Sequence, residues 1–173
     1  MTTTMPRPAL EAGALRAAAP SVRFARAEDA GELAALSRPF VRAGALRERP
    51  VSLYAAQAAD FLVAVGPAGR LEGCVGLRVY PAGPGEGGAP AGVLYNFCVA
   101  GHRQGCGVGA VLLRSALTRA RARSLGALFT ATTGGGRLFQ RYGFTSTTAS
   151  LAPRAWAESL DPRRDARILA RAV

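Results

Sequence analysis

Residues 93–113 read VLYNFCVAGHRQGCGVGAVLL, and this stretch decides the fold. It begins with an apolar run over Val93 to Ala100, which has the length and character of a strand buried on both faces. A turn follows in which Gly105, Gly107 and Gly109 stand at alternate positions. Apolar residues then recur with helical spacing, so the stretch predicts a central strand, a tight turn and a long helix.

The glycine turn is suited to holding an anion. Glycines let the main chain turn tightly without side chains in the way, and the first N–H groups of the helix then point outward, unpaired, at the positive end of its dipole. A pyrophosphate fits such a cradle. A P-loop is excluded because it needs Lys, and the chain has none. Gly105, Gly107 and Ala110 formally satisfy a dinucleotide fingerprint, but no acidic residue follows about twenty positions later. A glycine turn without a ligand stays the alternative.

The rest of the chain is predicted outward from this stretch by its hydrophobic periodicity and its Gly and Pro positions. The order predicts one α+β domain over residues 21–173, after a poorly ordered tail over residues 1–20. Strands are predicted over 22–25, 61–65, 73–79, 127–132, 144–150 and 166–170, with a loop over 81–90. Helices are predicted from Asp29 to Arg38–Pro39, after Pro50, from the glycine turn to a stop at Gly126, over 136–141 and near Ala155.

Composition limits the classes of protein. No apolar run reaches about 18 residues, so no membrane span is expected, and the N-terminus lacks a secretory signal pattern. The net charge of +11 comes from 22 Arg and no Lys; a coding bias accounts for this first, although so basic a chain should attract polyanions. Cys74, Cys98 and Cys106 lack metal-ligand spacing, and the first two lie in apolar runs. We therefore expect free thiols, no metal and a cytoplasmic protein.

Two motifs resemble those of GNAT acetyltransferases. Val99-x-x-x-x-Gln104-x-x-Gly107-x-Gly109 resembles their acetyl-CoA-binding motif, and Phe139-x-x-x-Gly143-Phe144 resembles their C-terminal signature. The resemblance implies a mixed, mostly antiparallel sheet, splayed at the fourth and fifth strands and flanked by helices. It also implies acetyl-CoA as co-substrate. The cofactor-binding residues that it implies are Phe97, Cys98, Val99, Gln104, Gly105, Cys106, Gly107, Val108, Gly109, Ala110 and Phe139.

Residues 22–173 further resemble the acetyltransferase domain of bacterial N-acetylglutamate synthases. The likeness rests on Arg38-Pro39-x-x-x-x-Gly44-x-Leu46, on Thr132-Thr133 before the Gly143-Phe144 signature, and on the tail from Arg163 to Leu169. It implies transfer to the α-amine of a free amino acid, by direct attack in a ternary complex. It implies Arg164 and Arg167 as substrate-binding residues, and Arg49 is a further candidate. Thr132 and Thr133 are candidates because they lie at a strand end, where open α/β sheets place ligands; a helix cap is the alternative for Thr133. Asp165, Ala166 and Val51 replace family Arg, Ser and Arg residues, so glutamate is not secured as the acceptor. The chain also lacks the family's amino-acid-kinase domain, so feedback inhibition by arginine is not expected.

The acid and base of the reaction are not evident. The run from Ala91 to Ala100 has no carboxylate, and Phe139 stands where many GNAT enzymes have a Tyr acid. The remaining candidates are Tyr95, Asn96, His102 and Tyr142. Alternatives are acetylation of another small amine, such as an antibiotic or polyamine, or of a protein N-terminus. A non-catalytic acetyl-CoA-binding module and a basic nucleic-acid binder form another class. We expect no nucleic-acid or membrane partner, and a monomer or homodimer.

Overall fold

Seven strands and five α-helices lie in the residues that the computed structural model describes, 20–82, 88–134 and 136–173. The strands are β1 (Ser21–Phe24), β2 (Phe61–Val65), β3 (Leu71–Tyr80), β4 (Ala91–Val99), β5 (Ala127–Thr132), β6 (Thr145–Ser146) and β7 (Arg167–Ala172). The helices are α1 (Ala30–Arg42), α2 (Val51–Ala56), α3 (Val108–Ala122), α4 (Arg137–Arg141) and α5 (Arg154–Glu158). The tail expected over residues 1–20 lies outside the described residues except for Pro20, as does part of the predicted loop, residues 83–87.

The strands form one sheet in the order β1-β2-β3-β4-β5-β7-β6. Neighbours pair antiparallel except β4 and β5, which run parallel. The parallel ladder joins Ala91–Leu94 to Ala127–Thr130 and ends there, although β4 continues to Val99 and β5 to Thr132. The two strands therefore diverge beyond Leu94. The mixed, mostly antiparallel sheet with its splay at the fourth and fifth strands is confirmed.

Helices cover both faces because side chains alternate along each strand. The apolar side of α3, including Leu112, packs against Leu62 and Leu77 on one face. On the other face α1 and α2 bury Leu33 and Tyr54 against strands β2 to β4. Such fully buried side chains dominate stability, and removing one, as in Leu112→Ala, costs about 2–5 kcal/mol.

Two helix ends differ from the sequence prediction. The predicted stop of α1 at Arg38–Pro39 is wrong, because the helix continues to Arg42 with Pro39 inside it. Proline removes one main-chain hydrogen-bond donor from the helix. Phe40, the next residue of α1, packs against the core cluster that contains Leu33 and Tyr54. Gly126 does not stop α3, which ends at Ala122; Ser124 takes the left-handed conformation (φ 53°) and Leu125 is buried.

The C-terminal strands also differ. Only Thr145–Ser146 of the strand predicted over 144–150 forms, and a short 3-10 turn follows at Ala149–Leu151. The closing strand β7 lies between β5 and β6, so β6 is an edge strand with one neighbour. Phe144 is buried in the core rather than in the strand. Edge strands are commonly short, which limits pairing with other chains.

Candidate functional site

The splay leaves one edge of β4 without a strand partner. Within the described residues, β5 pairs with β4 no further than Leu94, so the edge that runs through Phe97 to Val99 faces the gap between the two strands. Main-chain N–H and C=O groups on such an edge can bind an extended molecule as an added strand, although the Val99 carbonyl already accepts the Gln104 side-chain amide. The geometry therefore provides what the cofactor's pantetheine arm needs.

A buried threonine marks the point where the strands separate. The Thr130 hydroxyl donates to the Leu94 carbonyl oxygen at 3.1 Å, at the last pair of the parallel ladder. This bond gives the carbonyl a partner in the protein interior, where an unpaired one is costly. Sequence reasoning missed Thr130, whose signal was a hydroxyl within an otherwise apolar part of the strand.

The glycine turn has the conformation that an anion cradle requires. Gly105 and Gly107 have φ of 75° and 84°, and Gly107 stands immediately before α3. The first main-chain bond at this helix end runs from the Val111 N–H to the Gly107 carbonyl at 3.0 Å. The N–H groups of Val108, Gly109 and Ala110 therefore lack a partner within the helix and lie at its positive end.

The Gln104 side chain folds back onto β4. Its amide donates to the Val99 carbonyl oxygen at 3.2 Å, which ties the turn to the end of the strand. The motif glutamine thus shapes the turn with its side chain, while main-chain groups remain available for an anion.

A cavity of about 460 Å³ lies between this turn and the splayed strand. Its apolar wall and its unpaired N–H groups fit a molecule with a diphosphate and an extended arm. Eight predicted cofactor residues line it: Phe97, Cys98, Val99, Gln104, Gly105, Gly107, Gly109 and Ala110. Sequence reasoning missed four others: Phe40, Arg103, Leu138 and Arg141.

The other three predicted cofactor residues lie close by. The Cys106 side chain is exposed on the turn, and that of Val108 is buried in the core. Phe139 packs behind the wall, with its ring centroid 5.4 Å from that of Phe97. In this position Phe139 supports the wall of the cavity.

Asn96 lies in a buried polar network under the splayed strand. It is 7% exposed with a left-handed backbone (φ 49°), where the β3–β4 register shifts. Its amide donates to Ser37 Oγ at 2.9 Å, and its Oδ1 accepts from the Tyr54 hydroxyl at 3.2 Å. Asn96, a candidate catalytic residue, therefore connects β4 to α1 and α2 through these two hydrogen bonds.

Two thiols complete this network. Cys74 and Cys98 face each other across β3 and β4 with sulfur atoms 3.5 Å apart. The hydrogen bond with Cys98, together with burial, raises the pKa of the Cys74 thiol well above its usual value. Cys74 therefore stays protonated at neutral pH and does not act as a thiolate nucleophile.

A second cavity, of about 570 Å³, is also bordered by the start of the β4 splay. The residues that line it come from distant segments of the chain: the loop between α1 and α2, strands β3 and β4, Thr133, and the region from Trp156 to Ala166. Two arginines hold these segments together. Arg47 donates to the Ser159 carbonyl at 2.6 Å, and Arg164 donates to the carbonyls of Gly44 and Ala45 at 2.9 and 2.7 Å.

Tyr95 lines the second cavity. The guanidinium groups of Arg49 and Arg78 both lie over its ring, at 4.9 and 5.0 Å from the ring centroid. Its hydroxyl donates to Asp60 Oδ2 at 3.0 Å. Burial, reinforced by the negative charge of Asp60, raises the pKa of Tyr95 above its ordinary value. The hydroxyl therefore stays protonated at neutral pH, which leaves Tyr95 unsuited to act as a base.

The remaining predicted residues occupy different places. Arg49, Thr133 and Arg164 line the second cavity. Thr132 accepts a bond from the Gly134 N–H at 3.2 Å, and Arg167 pairs with it in register at the start of β7. Sequence reasoning missed Arg47 and Arg78, because nothing in their local pattern distinguishes them from the other arginines.

The two other catalytic candidates lie away from the second cavity. His102 is exposed on the 3-10 turn Gly101–Arg103, beside the glycine turn. The Tyr142 hydroxyl accepts from Arg114 at 3.0 Å, which directs its ring toward α3. In the described part of the chain, no group of His, Cys, Asp and Glu is arranged to hold a metal ion. Nor is any helix there both long and apolar enough to cross a membrane.

Comparison with known proteins agrees with this geometry. The acetyltransferase (GNAT) family model matches residues 16–144, well over half of the 173 residues. The structure of N-acetylglutamate synthase from Neisseria gonorrhoeae with coenzyme A and N-acetyl-glutamate has a TM-score of 0.78 and 27% identity. The match covers 88% of this chain but only 34% of the synthase chain.

Two further solved structures share the fold at lower identity. Rv2747 from Mycobacterium tuberculosis, in complex with CoA and NLQ, has a TM-score of 0.73 and 20% identity, over 89% of this chain and 99% of that one. Arabidopsis thaliana Naa50, with a bisubstrate analogue CoA-Ac-MVNAL, has a TM-score of 0.66 and 16% identity, over 90% and 98%. No curated protein sequence matches the chain.

The splayed sheet, the glycine turn with its unpaired N–H groups and the family match all agree. Members of this family use acetyl-CoA as co-substrate, and the cavity beside the turn fits such a molecule. The chain belongs to the GNAT acetyltransferase family and is an acetyl-CoA-dependent N-acetyltransferase.

Proposed function

We propose that the acceptor is a free amino acid and that its α-amine receives the acetyl group. The observation that carries this proposal is the charge of the second cavity. Four arginines line it, Arg47, Arg49, Arg78 and Arg164, against two carboxylates, Asp161 and Asp165. Guanidinium groups suit carboxylates because they offer paired N–H donors. A polyamine or another polycation would be repelled by the same surface.

The likeness to N-acetylglutamate synthase supports the same class of acceptor. That structure was solved with N-acetyl-glutamate, the acetylated form of an amino acid. In the second cavity of the present protein, however, Asp165 provides a negative charge just before strand β7. A second acceptor carboxylate near Asp165 would be repelled. We therefore expect glutamate to be no better a substrate than a neutral amino acid.

The chemistry follows from what the chain provides. Bound acetyl-CoA supplies a thioester carbonyl that a neutral amine attacks directly. The arginines of the second cavity orient the acceptor by its carboxylate, and the free edge of β4 offers N–H donors for charge on the carbonyl oxygen. Neither Tyr95, which stays protonated, nor the carboxylate-free strand β4 provides a base. We propose that the amine loses its proton to solvent and that water protonates the leaving thiolate.

A screen of CoA release tests the proposal. The purified chain is incubated with acetyl-CoA and each of the twenty amino acids, with polyamines, with aminoglycosides and with short peptides. We expect turnover with one or more amino acids and none with polyamines. Turnover with polyamines or aminoglycosides alone would disprove the proposal. Turnover with peptides alone would assign the acceptor to protein N-termini.

A further inference from the structure

An ion pair beside the cofactor cavity has no part in the chemistry described so far. Glu72 Oε2 lies 3.0 Å from Arg103 Nε, and the two side chains are only 11% and 16% exposed. Both atoms are buried, and neither makes a hydrogen bond within the described residues, so the N–H is not aligned with the carboxylate oxygen. Burying two charges costs several kcal/mol per ion, so such a pair contributes little to stability.

The pair sits where strand β3 meets the turn that leads to the cofactor cradle. The Glu72 carbonyl accepts the Ala100 N–H at 2.8 Å, and the Arg103 N–H donates to the Ala100 carbonyl at 2.8 Å. Glu72 thus holds the segment from Ala100 to Arg103 by its main chain and by its side chain. Gln104 follows immediately, and Arg103 itself lines the cofactor cavity.

The Glu72 carboxylate occupies a space beside the turn before β3. It packs against Gly66, where an added Cβ would collide with Glu72 Oε1. The backbone there needs no glycine for its own conformation, because Gly66 does not have positive φ. Glycine at position 66 therefore leaves the space that the carboxylate occupies, and the carboxylate in turn fixes the Arg103 guanidinium.

We propose that Glu72 is a positioning residue for acetyl-CoA: it holds the Arg103 guanidinium at the wall of the cofactor cavity, where this group binds the phosphates of the cofactor. The family's glycine turn binds phosphate through main-chain N–H groups, and Arg103 adds a side-chain cation to that site. This inference concerns the acetyl-CoA side alone and does not depend on the acceptor.

The sign of the effect of Glu72→Gln separates positioning from simple electrostatics. A carboxylate near an anionic ligand repels it, so electrostatics alone predicts that Glu72→Gln tightens acetyl-CoA binding. Positioning predicts the opposite, with Kd raised roughly tenfold to a hundredfold, the size of one lost charge-assisted hydrogen bond. Titration calorimetry with acetyl-CoA measures this, and Glu28→Gln, at an exposed site, is the charge-matched control with unchanged Kd. An unchanged or lower Kd for Glu72→Gln would overturn the proposal.

Two other variants keep the test valid if Glu72→Gln does not fold. Gly66→Ala retains both charges but displaces the carboxylate, and Arg103→Gln removes the cation; each should raise Kd by a similar factor. Combining Glu72→Gln with Arg103→Gln should weaken binding no further than Arg103→Gln alone, because Glu72 acts through Arg103. Additive losses would contradict this coupling.

A truncated ligand tests whether the phosphates are what Arg103 binds. S-acetylpantetheine lacks the nucleotide and its diphosphate, so Arg103→Gln and the wild type should bind it equally. A loss of affinity for this ligand equal to the loss for acetyl-CoA would mean that the variant damages the turn generally, and it would refute the assigned role.

Discussion

The two cavities beside the splayed strands are built in different ways. Most residues that line the cavity beside the glycine turn belong to one segment, from Phe97 to Ala110, where main-chain groups are available to bind an anion; Phe40, Leu138 and Arg141 complete its wall. The second cavity, where we propose that the acceptor binds, is lined by side chains from segments far apart in sequence, such as Arg49, Arg78 and Arg164. A site made of backbone tolerates changes of side chain, provided that glycines remain where they are needed. A site made of side chains changes its specificity with single substitutions.

The largest effect is expected at Gly107, where the cofactor site depends on a glycine. Gly107→Asp would abolish acetyl-CoA binding, because the residue has φ of 84° and the new carboxylate would face the pyrophosphate. Gly109→Asp should do the same through its charge. Gly107→Ala is the control, since it adds only the strain of a left-handed alanine, about 1–2 kcal/mol. Unchanged affinity for acetyl-CoA in the Asp variants, measured by calorimetry, would remove the basis of the cofactor assignment.

The second prediction concerns Asn96, on strand β4, which borders both cavities. Asn96→Ala leaves Ser37 Oγ and the Tyr54 hydroxyl without this partner and puts alanine at φ 49°. We expect the free energy of unfolding in urea to fall by about 2–4 kcal/mol. Tyr54→Phe, which removes one bond of the same network, should cost about 0.5–1.5 kcal/mol. Equal losses in the two variants would show that Asn96 has no special role in holding the strand.

Arg164 tests the side-chain character of the acceptor cavity. If the acceptor is an amino acid, Arg164→Ala should raise its KM roughly tenfold to a hundredfold, the effect of one lost charge-assisted bond. Part of this effect would come from the loop that Arg164 holds through Gly44 and Ala45. Affinity for acetyl-CoA should not change. Arg163→Ala, at the exposed neighbouring position, is the matched control, and a KM shift as large in this variant would refute the assignment.

The smallest effect is expected at His102. Because it is exposed beside the cofactor turn rather than in the acceptor cavity, His102→Ala should keep most of its turnover. The rate should rise with pH as the acceptor amine loses its proton, and Tyr95, whose pKa is raised, should not titrate in the same range. A drop of about 100-fold or more in kcat would identify His102 as the base.

The cofactor side was the more predictable from sequence. The spacing of Gln104, Gly107 and Gly109 indicated a strand, a turn and a helix, and all three are present. The GNAT resemblance, the splayed sheet and acetyl-CoA as co-substrate are confirmed. The individual contacts to the cofactor and acceptor stay predictions. Two predicted helix ends were wrong, because α1 continues past Pro39 to Arg42 and α3 ends at Ala122, before Gly126.

The sequence by itself determined the glycine turn, because a left-handed backbone and unpaired helix N–H groups are local consequences of residue type. Only the tertiary structure decided which arginines come together in the second cavity. Arg78 belongs to β3 and Arg49 to the loop between α1 and α2, and the fold brings both guanidinium groups over the Tyr95 ring. The same holds for Glu72 and Arg103, which meet across a strand end. Contacts of this kind depend on packing between distant segments, and local sequence patterns carry no record of it.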